Sequence, residues 1–151
     1  MRVLTFNRTD SVHAAVRGVV AAMSMTGMRA LSTKAGIVKE TPPEMIADQE
    51  VPHLVDRLPD PAADSLLVLA HWGYGAAGGA FFGALPPPIR QSRWMGPAYG
   101  LALWAAFEVI LEPVFGIRLR RKRPPPERAA LAADHLLYGL VLNELRSRPS
   151  K

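Results

Sequence analysis

Hydrophobic and polar positions are segregated along this chain rather than mixed. From Leu66 to Leu85 there is no Asp, Glu, Lys or Arg, and as a helix that run spans about 30 Å, the thickness of a bilayer's hydrocarbon core. Met95 to Leu111 is nearly as apolar, with Glu108 its only charge. Gly18 to Met28 is a shorter uncharged stretch bracketed by Arg17 and Arg29, whose stems can extend so that the guanidinium reaches an interface. A last stretch, through Leu145, carries Asp134 and His135. These stretches predict four helices, at about 11–31, 64–85, 96–115 and 127–145. Pro86-Pro87-Pro88 ends the second sharply because proline removes a donor and clashes with the preceding turn.

The polar insert at about 36–62 separates the first two helices. Thr41-Pro42-Pro43-Glu44 has the form of a capping box with proline at the first helical position. Val51, Leu54, Val55 and Leu58 then recur at helical spacing, which predicts a short amphipathic helix lying on a membrane surface or against the bundle.

One unit occurs twice. Pro42-Pro43-Glu44 is followed by His71-Trp72-Gly73-Tyr74-Gly75, and Pro125-Pro126-Glu127 by His135-Leu136-Leu137-Tyr138-Gly139. The repeat aligns the second helix with the fourth and predicts an all-α architecture: a four-helix transmembrane bundle built as a duplicated helical hairpin, in one domain. Parallel repeats are related by an axis along the membrane normal. On that basis His71, His135 and Glu108 lie at similar depth, with the second and fourth helices meeting near the axis.

His71, Tyr74, Gly75 and Gly78 share one helical face, as do His135, Tyr138 and Gly139. Gly75, Gly79 and Gly83 add overlapping G-x-x-x-G spacings that let membrane helices approach closely. Ionisable groups in hydrocarbon face the bundle interior and find partners. His71, Tyr74, Glu108, His135 and Tyr138 are therefore the candidate buried polar cluster, and Gly75, Gly79, Gly83 and Gly139 the helix-packing glycines.

The cluster reads first as a structural hydrogen-bond network. The alternatives are a proton or ion path through Glu108 with His71 and His135, and a haem or metal site on the paired histidines. No spacing such as H-E-x-x-H is present, there is no cysteine, and no metal or other cofactor is expected. The sequence shows no nucleophile–base pair, phosphate loop or paired catalytic carboxylate, which disfavours an enzyme. The formal charge of +5 does not point to nucleic acid. Its densest run, Arg118 to Arg128, flanks an apolar helix, where anionic lipid headgroups account for it. If that loop is cytoplasmic, both long connections lie inside and both termini outside, although Arg2, Arg8, Arg17, Arg90, Arg93, Arg146, Arg148 and Lys151 oppose this almost equally. A soluble all-helical domain is the remaining architecture, because the first and last helices are weakly apolar.

The Pro-Pro-Glu, His-x-x-Tyr-Gly repeats, together with Gly18 through Met28 and Ala98-Tyr99-Gly100, resemble the YagU-like small bacterial inner-membrane proteins. The resemblance covers about residues 15–143 and implies a polytopic protein of the bacterial cytoplasmic membrane without an established activity. It carries over no catalytic residue. The expectation is a non-enzymatic structural or interaction component in the lipid bilayer that packs through its glycine face with a second copy or a larger membrane protein.

Overall fold

A computed structural model describes residues 8–39, 59–111 and 123–144. These are all-helical, with no strand among them: α1 is Arg8–Lys34, α2 Asp60–Ala84, α3 Pro87–Arg90, α4 Met95–Ala106 and α5 Pro125–Glu144. A π-helical turn, Phe107–Leu111, continues α4. The predicted Thr41–Glu44 cap and the Val51–Leu58 stripe lie outside the described residues.

Helix ends follow local chemistry. Gly36, at φ +72°, closes α1: the Ile37 amide bonds the Ser32 carbonyl at 3.0 Å, a left-handed cap suited to glycine. α2 starts at prolines, with the Pro59 carbonyl accepting from Ala62 at 2.8 Å and Ala63 at 3.1 Å. It stops where Leu85 turns extended (ψ 148°), the conformation a following proline imposes. The predicted sharp stop thus becomes a tight corner, with Pro87 opening the single turn of α3. At α5 the second Pro-Pro-Glu supplies the first turn, and the buried Glu127 pairs with Arg123 at 3.6 Å.

The helices pack as two close hairpins. α1 lies along α2, α4 lies along α5, and α1 also packs against α5. Backbones touch at small residues in both hairpins. A Cβ on Gly18 would sit 2.2 Å from the Gly75 carbonyl oxygen, and one on Gly79 2.2 Å from that of Ala14. In the second hairpin, a Cβ on Gly139 would sit 2.0 Å from the Gly96 oxygen and one on Gly100 2.0 Å from the His135 oxygen. The terminal glycine of each His-x-x-Tyr-Gly copy is therefore the crossing point of its own hairpin. Close approach of this kind lets van der Waals contact hold helices where the surroundings offer no hydrophobic drive.

The duplication is not mirrored in the contacts between hairpins. α1 sits against α5, whereas α2 reaches α4 through side chains: the Tyr99 hydroxyl donates to the Gly78 carbonyl at 2.6 Å, and the Phe82 and Tyr99 rings stack tilted, centroids 5.2 Å apart. α2 and α5, expected to meet at the axis, are bridged by Tyr138, whose hydroxyl donates to the Gly75 carbonyl at 2.6 Å. The core is accordingly small and aromatic: Ala21, Ala22, Met25, Phe82, Tyr138 and Leu142.

No helix among the described residues is long and apolar enough to cross a membrane. The large side chains nevertheless point outward. Val12, Val16, Val20, Met23 and Leu31 of α1 are exposed, as are Leu66, Leu69 and Phe81 of α2 and Leu101, Val109 and Ile110 beyond them.

Candidate functional site

The polar interior is one layer assembled from α1, α2, the π turn and α5. Asp134 is only 1% exposed and Arg29 8%, and the Arg29 Nε donates to Asp134 Oδ2 at 3.3 Å. The sequence suggests that Arg29 reaches an interface; instead its guanidinium turns inward, because Asp134 on the neighbouring helix offers a countercharge. The contact is a single long bond to one carboxylate oxygen. Asp134 Oδ1 is buried with no hydrogen-bond partner among the described residues.

His71, one element over on α2, is partly buried and within electrostatic range of Arg29 and His135. Its ring lies beside the Ala22 backbone, and its Nε2 is buried without a partner among the described residues. His135 Nδ1 lies 2.9 Å from the Leu131 carbonyl of its own helix. Next to His71, the Trp72 indole donates to Thr26 Oγ1 at 3.3 Å, and Thr26 donates back to Ala22 at 3.1 Å, a local bond that threonine readily makes in helices.

Glu108 completes the layer from the π turn. It is 5% exposed, and Arg128 Nη2 donates to its Oε2 at 2.8 Å. Single π turns inside α-helices frequently mark functional sites; here the turn carries the one charge of the Met95–Leu111 run into an ion pair. His135 lies within electrostatic range of Glu108.

Of the five cluster residues expected from sequence, His71, Glu108 and His135 share this layer, and Tyr138 sits beside it as the bridge to α2. Tyr74 is 45% exposed. The equivalent positions of the two repeats therefore diverge: one tyrosine clamps a carbonyl and the other faces out. Gly75, Gly79 and Gly83 are covered by α1, and Gly139 by α4, so none of the four is free to meet a partner. Arg29, Asp134 and Arg128 were not among the expected residues. Asp134 carries a signal in the repeat itself, since Asp134-His135 stands where the first copy has Ala70-His71, and a charge added to an otherwise apolar stretch requires a partner.

Among the described residues no three His, Asp or Glu side chains come close enough to hold a metal ion. No protein-family model, curated protein or solved structure matches the chain.

Proposed function

We propose that this protein is an integral membrane bundle of the bacterial cytoplasmic membrane, a non-enzymatic structural or interaction component like the YagU-like proteins it resembles. The supporting observation is an inside-out distribution of side chains. On α1 no exposed residue from Val12 to Leu31 is charged, nor on α2 from Leu66 to Ala84, nor on α4 and the π turn from Trp94 to Ile110. The charges within those spans and on the facing part of α5 (Arg17, Arg29, Glu108, Arg128 and Asp134) are buried or partly buried. A water-soluble bundle has the reverse arrangement.

The α1 stretch is about 29 Å long at ~1.5 Å per residue, close to the hydrocarbon thickness. What keeps the helices from the apolarity of a simple spanning segment is their inward face. Glycines at the crossings and charged groups in ion pairs lower the average without meeting lipid, as expected for polar residues inside a membrane bundle. With the packing glycines occupied internally, a second copy or a larger membrane partner would meet the Val, Leu and Phe surface.

Extraction of native membranes with alkaline carbonate tests this reading. The protein is expected to stay in the pellet; release into the supernatant would remove the membrane assignment and favour a soluble helical domain.

A further inference from the structure

One corner of the bundle joins its apolar belt to a polar end. α2 stops at Ala84, the single turn of α3 follows, and α4 opens with Trp94 as its N-cap. Along this corner Pro87, Pro88, Ile89, Arg93 and Trp94 are exposed, Trp94 at 72%. The Arg93 guanidinium lies over the Trp94 ring, 6.0 Å from its centroid.

The backbone beneath is held from three helices. Arg90 donates to the Gly83 carbonyl of α2 at 3.3 Å and pairs with Asp10 of α1. Asn143, buried on α5, donates through Nδ2 to the Arg93 carbonyl at 3.1 Å. Arg90 is thus committed inside the fold, whereas Arg93 and Trp94 are presented outward on a fixed frame. The level of the corner follows from the α1–α2 crossing. Gly83 packs against Asp10 and Ser11, so the exposed Val12 and Phe81 are the last belt residues before it, and Asp10 and Arg90 mark the rim.

An indole combines a large apolar body with one polar N–H, and the zone between hydrocarbon and headgroups suits both parts. A guanidinium stacked on that ring keeps its planar fork of N–H donors for a phosphate, which it binds bidentately. We infer that Arg93 and Trp94 form a phospholipid-binding corner: the indole lies among the upper acyl-chain carbons and the guanidinium holds the lipid phosphodiester. This rests on the membrane reading above and names a lipid contact within it.

The test uses the full-length protein in phospholipid vesicles and phosphate-free buffer, so that all phosphorus belongs to lipid. Trp94 fluorescence is taken as the difference between wild type and W94F, in lipids brominated either high or low on the acyl chain. Bromine high on the chain should quench this share roughly twofold or more over bromine low on it. In a second measurement, solid-state NMR dephasing of labelled arginine ¹³Cζ by lipid ³¹P should be weaker in R93Q than in wild type. The inference is overturned if the Trp94 share is unquenched, or quenched as well by the deep bromine, while the protein stays in the carbonate pellet. Unchanged dephasing in R93Q overturns it too. If no tryptophan is quenched by either lipid and carbonate releases the protein, the membrane reading itself fails and this inference with it.

Discussion

Replacing Gly139 by alanine tests the crossing geometry most directly. The new methyl would lie 2.0 Å from the Gly96 oxygen, 2.7 Å from the Gly96 carbonyl carbon and 3.1 Å from the Gly100 amide nitrogen. All three are backbone atoms, so no side chain can swing aside and α4 must move away from α5 by about 1 Å or more to reach ordinary contact distance. Overpacking of this kind costs about 3 kcal/mol at the upper end of its usual range. Alanine's helical advantage over glycine returns roughly 0.5–1 kcal/mol, leaving a net loss of about 2 kcal/mol. Gly73 is the matched control: a Cβ there meets nothing within 4 Å, so G73A should gain roughly 0.5–1 kcal/mol. The two variants should thus differ by about 3 kcal/mol, on the order of a hundredfold in the folding equilibrium. Unfolding followed by circular dichroism in mixed detergent–SDS micelles measures both. If G139A stays within about 0.5 kcal/mol of wild type, or loses no more than G73A, the helices do not cross at this glycine.

Other substitutions probe separate contacts. R29A or D134A alone should cost about 3–5 kcal/mol by stranding a buried charge, while the double change R29M/D134L should be close to neutral; the same micelle titration reads this, and additive single effects would refute the pairing. Y138F should lose about 1 kcal/mol with its hydroxyl bond to Gly75, and Y99F a similar amount at Gly78, whereas Y74F, at an exposed position, should change little. F81K places a charge on the outward face of α2 close to its end, at a cost below the roughly 2.5–3.5 kcal/mol of a lysine at a helix centre if that face meets lipid; carbonate extraction should then show less protein in the pellet, and unchanged partition would argue that Phe81 does not face lipid.

The helices themselves were legible because hydropathy and proline punctuation act locally. The expected 127–145 helix begins two residues earlier, at Pro125, since the Pro-Pro-Glu unit that marks the repeat is itself the first turn. The glycine crossings were half legible: G-x-x-x-G spacing identifies a surface for close approach but not the helix that occupies it. That α1 fills the Gly75–Gly83 face depends on Ala14 and Gly18 lying opposite, a matching of two surfaces far apart in sequence. The π turn left no trace in the sequence pattern, because an extra residue in a uniformly apolar run changes no periodicity.

The polar layer shows why repeat reasoning located a site yet misassigned some of its members. Duplication places equivalent residues at equivalent depth, but the two hairpins here do not make equivalent contacts, since α1 takes the position against α5 that α4 does not take against α2. Once that symmetry is lost, equivalent side chains meet different surroundings. Tyr138 finds the carbonyl of Gly75, while Tyr74 is turned outward. Ala70 lies exposed on α2, while its counterpart Asp134 lies buried beside Arg29. The chemistry therefore concentrates where the second copy departs from the first. The glycines shared by both copies form the hairpins, while Asp134, where the copies differ, and Tyr138, whose surroundings differ, join one hairpin to the other.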